Sequence, residues 1–110
     1  MKIYISGKIT GLKPEEYMPL FEEAESNLKV AGFNNIVNPT KLSIDPTEDW
    51  KTAMDVCMPA LEDCDTIYML ENWKDSFGAR RELTRAMEKR YRVVFAPDAI
   101  EDLKQCRRTG

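Results

Sequence analysis

The chain has no histidine, and this single absence removes much chemistry. Ser-His and Cys-His nucleophiles need an imidazole base, and zinc sites are built largely from imidazoles and paired thiolates. The three cysteines, Cys57, Cys64 and Cys106, form no C-x-x-C pair and leave an odd count. They read as reduced thiols of a cytoplasmic protein, with no disulfide framework, metal or cofactor expected. No apolar run reaches the length of a membrane span, and the first residues carry no signal-peptide pattern, so no membrane partner is expected. Charge of one sign is also lacking. A net charge of −3 argues against a nucleic-acid polymer as partner, which would call for a basic face. Gly7 and Gly11 have no third glycine in register for G-x-G-x-x-G, and no G-x-x-x-x-G-K-[ST] occurs, so dinucleotide and P-loop nucleotide binding are disfavoured.

What is present suits one ordinary folded unit. The 110 residues are 43% apolar and 32% charged, enough for a single domain over 1–110 with one core. Lys2 to Gly7 reads as a first strand ending at a glycine, and Gly7 to Gly11 as a turn. Pro19 suits the first position of a helix reaching Ala31, with Leu20, Phe21, Ala24, Leu28 and Ala31 as its apolar stripe and Gly32 as its stop. Asn35-Ile36-Val37 makes a second strand that Asn38-Pro39 ends. An aperiodic loop from Thr40 to Pro46 leads to a helix capped by Thr47 or Asp49 and reaching about Asp63, which Pro59 kinks or restarts. Thr66 to Leu70 is a buried strand, Arg92 to Ala96 a fourth, and Ala99 to about Gln105 a last helix. The order β-α-β-α-β-α-β-α implies a small doubly wound parallel sheet, flavodoxin-like or Rossmann-like, with helices on both faces. Its exposed edges predict a homodimer or higher homo-oligomer.

The stretch from Asp75 to Ala86 concentrates the chemistry. It follows the third strand and opens a helix that Ser76 can cap, that Gly78 lets something approach closely, and that Ala79, Leu83, Ala86 and Met87 turn inward. A strand, a glycine turn and a helix present backbone N–H groups at a sheet's carboxyl edge, where open α/β sheets bind ligands. Glu82, one turn beyond Gly78, is the acid best placed to face that crevice, beside Tyr4, Ser6 and Gly7 at the first strand's end. A carboxylate there suits attack on an electron-poor carbon such as an anomeric centre. Taken without any family likeness, Glu82 reads sooner as a surface residue pairing with Arg85 or Arg81, and Tyr4 as a core aromatic on a buried strand.

Tyr4-Ile5-Ser6-Gly7-x-Ile9-x-Gly11 and Ser76-x-Gly78-x-x-x-Glu82-x-x-x-Ala86 resemble motifs of the nucleoside 2-deoxyribosyltransferase-like superfamily, which includes the deoxynucleoside 5'-monophosphate N-glycosidases. Asn38-Pro39, Asp63-Cys64-Asp65 and Trp73 with Ser76, Gly78 and Ala79 resemble a small bacterial and phage branch of it; the likeness spans roughly residues 2–96. The resemblance implies that Glu82 is the nucleophile at C1' of a 2-deoxyribosyl group. It implies that Tyr4 orients Glu82 or contacts sugar, that Ser76 and Gly78 hold a phosphate or the sugar's 5' end, and that Ser6 and Gly7 line the crevice. The ligand would be a small-molecule nucleoside or nucleotide, and a neighbouring subunit could complete the site. The superfamily's second acid, an aspartate eight residues before Asp65, is Cys57 in this chain. Cys57 falls in register with Ala53, Met54, Ala60, Leu61 and Cys64 as a small buried hydrophobe, while Asp55 lies on nearly the opposite helix face. A one-turn adjustment at Pro59 would be needed to bring Asp55 or Asp63 inward. Three readings remain open at this point: cleavage or exchange of an N-glycosidic bond, binding of a nucleotide-like ligand for sensing or sequestration, and a structural or subunit role in which the sheet edges matter more than the crevice.

Overall fold

In the computed structural model, which describes residues 1–42 and 50–109, strand and helix alternate along the whole chain. The elements are β1 (Ile3–Ser6), α1 (Pro14–Val30), β2 (Ile36–Val37), α2 (Trp50–Glu62), β3 (Thr66–Met69), α3 (Phe77–Glu88), β4 (Arg92–Phe95) and α4 (Ala99–Thr109). Short 3-10 turns, Pro39–Lys41 and Glu71–Asp75, follow β2 and β3. The four strands form one parallel sheet in the order β2-β1-β3-β4. The chain is therefore an α/β protein with a doubly wound, flavodoxin-like or Rossmann-like sheet. Of the earlier expectations, the loop beyond Leu42 and the caps at Thr47 or Asp49 lie outside the described residues.

The pleat of the strands sorts their side chains onto two faces. Ile3, Ile5, Tyr68 and Val94 pack with Phe21 and Leu28 of α1 and with Ala99 and Leu103 of α4. Tyr4, Ile67 and Met69 pack with Cys57 and Leu61 of α2 and with Ala79 and Ala86 of α3. Both sheet faces are thus covered, which is why β1 and β3 are buried along their whole lengths rather than alternating. No helix among the described residues is long and apolar enough to cross a membrane.

Several expectations need correction. The first helix begins at Pro14, which takes the first helical position, and Pro19 lies inside it. Glu15 and Glu16 occupy the first turn, where acid complements the helix dipole, and the Lys13 N–H donates to Glu16 Oε1 at 3.3 Å. Pro19 is exposed, so the Glu15 carbonyl it leaves without a helical partner faces water. At the other end Gly32 has φ +96°, and the N–H groups of Gly32 and Phe33 bond back to Lys29 and Leu28, a Schellman stop that glycine alone adopts cheaply. Leu20 is 42% exposed and Met87 63%, so neither belongs to its helix's inward stripe; each sits one residue, about 100°, off the buried line through Phe21 or Ala86. Helix α2 continues through Pro59 without a restart. The last helix runs past Gln105 to Thr109.

Candidate active site

The sheet order reverses between β1 and β3, so their carboxyl ends splay apart and leave a crevice at the switch point. Strand β1 delivers Tyr4 and Ser6 to the same face, with Tyr4 opposite Ile67 and Ser6 opposite Met69 of β3. The chain leaving β3 passes through the Glu71–Asp75 turn into α3, whose start is fixed by Ser76: its Oγ accepts from the Ala79 N–H at 3.0 Å. From that cap, Glu82 is carried one and a half turns into the helix and points back under the sheet edge.

Glu82 is 3% exposed. The Tyr4 hydroxyl donates to Oε2 and the Ser6 hydroxyl donates to Oε1 at 2.7 Å. Tyr4 and Ser6 are themselves fully buried. The alternative of a surface glutamate paired with Arg81 or Arg85 is therefore overturned; Arg85 pairs instead with Glu62 of α2. Burial pushes the Glu82 carboxyl up to about 7, against the pull of the two hydrogen bonds, which favour the ionised form. Burial, and then the Glu82 charge, holds the Tyr4 phenol well above its ordinary range, so Tyr4 stays a donor. Raised this far, Glu82 can take part near neutral pH in either form. As carboxylate it is an oriented nucleophile or base; as acid it can give a proton.

Cys57 of α2 closes the site from the other side. Its thiol is buried beside Tyr4 and pushed up to about 12, chiefly by burial and then by the Glu82 charge. It is a neutral group and supplies no second acid. Asp55 is exposed on the outer side of α2, and Asp63 is exposed and paired with Lys2, so neither turns inward at Pro59. Among the described residues, Glu82 is the one acid lining the cleft, no lysine or arginine lines it, and no group of three or more acidic or thiol side chains is placed to hold a metal ion.

The other candidates separate by role. Gly7, Ser76 and Gly78 line the cleft, together with Ile9 and Thr10 from the turn after β1, whereas the Ser6 side chain lies behind Glu82. Gly7 is required by close packing: a Cβ there would stand 2.6 Å from Leu70 Cδ1. At Gly78 a Cβ would stand 3.1 Å from Cε of Met54, which covers this turn. As a result the cavity over Glu82 holds only about 20 Å³, room for one water. Met54 also borders an outer depression of about 420 Å³, in which Lys51, Asp55 and Arg81 stand. The sequence pattern marks Met54 as one of an apolar helical stripe and gives no sign that it is the wall between these two spaces.

No curated protein and no solved structure matches this chain. A family model does, over residues 1–95, which takes in all four strands, Tyr4, Ser6, Cys57 and Glu82. The chain belongs to the family described as a domain of unknown function, DUF4406.

Proposed function

We propose that the protein cleaves or exchanges the N-glycosidic bond of a 2-deoxyribonucleoside or its 5'-monophosphate, with Glu82 as nucleophile. One observation carries this reading: a buried carboxylate, gripped by two hydroxyl donors, at the switch point of a parallel sheet. The likeness of the Tyr4–Gly11 and Ser76–Ala86 motifs to the nucleoside 2-deoxyribosyltransferase-like superfamily supports it.

In this reading the Glu82 carboxylate attacks C1'. The C1'–N bond breaks, its electron pair leaves with the base, and the base takes a proton from water. The glycosyl ester on Glu82 is then opened at C1' by water or by a second base, with net retention. The Tyr4 and Ser6 hydroxyls hold the carboxylate for attack, and when the ester opens the C1'–O electron pair returns to Glu82 and the same two donors hydrogen-bond the restored carboxylate. The Ser76–Gly78 turn, with backbone N–H groups at the start of α3, receives the sugar's 5' end. Met54 lines both the cleft and the outer depression, so its displacement would join them, and in the depression Lys51 and Arg81 outnumber Asp55, which suits a 5'-phosphate. The edge strand β4 and the missing second acid both suit a homo-oligomer in which a neighbouring copy completes the site.

The test is base release, read by chromatography, from a panel of 2'-deoxynucleosides and their 5'-monophosphates. The parent is expected to release base and Glu82→Ala to release none; equal release by both would sink the proposal. The neutral Cys57 thiol favours a second reading, in which the cleft captures a nucleotide without cleaving it. A folded parent that releases no base, yet is stabilised by one of these nucleotides in thermal melts, would decide for that reading, because ligand binding to the native state raises its stability.

A further inference from the structure

A second cavity, about 460 Å³, lies on the sheet face opposite Glu82, between α1, α4 and the segments leaving β3 and β4. Its volume falls in the range of small-molecule sites. Tyr68 of β3 forms its floor. This residue is 6% exposed, and its hydroxyl has no hydrogen-bond partner among the described residues. Buried phenols ordinarily find one, and no polar side-chain atom sealed from solvent among the described residues lacks a partner, so the Tyr68 hydroxyl opens on the cavity. Glu23 of α1 and Glu71 beyond β3 line the same space, and the charges of both act on that hydroxyl. Neither carboxylate has an ion-pair partner among the described residues, and no lysine or arginine lines the cavity. The remaining wall is largely apolar, with Leu70, Ala96 and Ile100.

We infer that this cavity binds a small organic cation, its primary ammonium held by the Tyr68 hydroxyl and the Glu23 and Glu71 carboxylates and its apolar body seated on Leu70, Ala96 and Ile100. An anion would meet two uncompensated negative charges. A bare metal ion finds no group of three acidic or thiol ligands among the described residues and gains nothing from the apolar wall. Both carboxylates are exposed to water, so a neutral ligand would gain little from them. An ammonium satisfies the hydroxyl and the carboxylates together, through charge-assisted hydrogen bonds. The inference does not depend on the reading of the Glu82 cleft.

Isothermal titration of the full chain with phenethylammonium chloride tests it, with phenethyl alcohol as the uncharged counterpart. The ammonium is expected to bind saturably at one site and the alcohol about tenfold or more weaker. The Glu23→Gln/Glu71→Gln double variant should lose about tenfold or more in affinity, and Tyr68→Phe, which removes only an oxygen, about fivefold. Glu82→Gln should bind as the parent does. Absence of saturable binding, equal binding of the alcohol, or binding that survives the double variant would each overturn the inference. Loss of binding in Glu82→Gln would overturn it as well, by placing the ammonium in the other cleft.

Discussion

The Ser6 hydroxyl donates to Oε1 of Glu82 at 2.7 Å, joining the end of the first strand to the middle of the third helix across 76 residues of chain. Both groups are buried, so the bond works at low dielectric, where an unpaired carboxylate would be very costly. The fold keeps an acid where an acid is expensive, and the pH dependence of its stability should reveal that.

The Glu82 carboxyl stands at about 7 in the folded chain, against 4.5 as its ordinary value. Between these values the native state binds more protons than the unfolded chain, so stability falls as pH rises through about 7. Keeping Glu82 ionised at pH 8 costs roughly 3 kcal/mol. Glu82→Gln should therefore melt higher than the parent at pH 8, with the gap closing toward pH 5. A variant that melts lower than the parent at both pH values would contradict this picture.

Removing one donor should leave Glu82 harder to ionise. Tyr4→Phe keeps the ring and deletes the hydroxyl, the larger of the two hydrogen-bond contributions that favour the carboxylate. The Glu82 titration, followed by NMR with a carbon-13 label in glutamate, should move upward by about one unit. The acid limb of any base-release profile should move with it. An unchanged titration would mean that the tyrosine hydroxyl does not hold the carboxylate in solution.

Gly7 and Leu70 predict a coupled pair. A methyl group at Gly7 meets Leu70 Cδ1, Cβ and Cγ, so the whole leucine side chain must shift and not merely its tip. Gly7→Ala should cost about 2 kcal/mol by overpacking. Adding Leu70→Ala, a costly change in itself, should give a double variant less unstable than the sum of the two by about 1 kcal/mol. Chemical denaturation of the four species gives the coupling, and strict additivity would refute the contact.

Glu25 anchors the chain beyond β2 to α1. Its buried carboxylate accepts from Asn38 Nδ2 at 3.0 Å and pairs with Lys41 and Lys29. Burial alone would raise its pKa, but the hydrogen bonds from Lys41, Asn38 and Lys29 outweigh it and hold the group at about 2. A depressed acid stabilises the fold fully above its ordinary value of 4.5, and this contribution disappears as pH falls through about 2. Glu25→Gln should lose about 1–2 kcal/mol at pH 7, with a flatter pH dependence below 4.5. Identical acid unfolding curves for the two proteins would count against the anchor.

The sheet could be read from the sequence because alternating short apolar runs and amphipathic segments leave few other arrangements for 110 residues. Glu82 could be placed at the crevice because Ser76, Gly78 and the strand before them are local signals. The register of β1 was open to the same logic, since Tyr4 and Ser6 are two apart. Leu20 and Met87 face outward although they flank the buried line, because a helical stripe has blurred shoulders: one residue of rotation separates buried Phe21 from exposed Leu20. Pro19 differs for another reason, since Pro14 offers the same first-position signal about one and a half turns earlier. The Met54 wall and the Glu25–Asn38 anchor were beyond reach for another reason. Both join elements whose approach is decided by tertiary packing, and neither leaves a spacing in the sequence. Asn38 announced itself only as a strand terminator, although its side chain also accepts from the Thr40 N–H at 3.0 Å and reaches Glu25.

In β1, four consecutive residues serve two masters in strict alternation: Ile3 and Ile5 fill one core, while Tyr4 and Ser6 hold Glu82 on the other side. An inserted or deleted residue ahead of Tyr4 would exchange these assignments, sending isoleucine to the carboxylate and hydroxyls into oil. Evolution can retune the turn after β1, or the side chains that rim the cleft, one substitution at a time. The spacing within this strand admits no such gradual path, because Tyr4 and Ser6 both reach Glu82 only while they stay two residues apart.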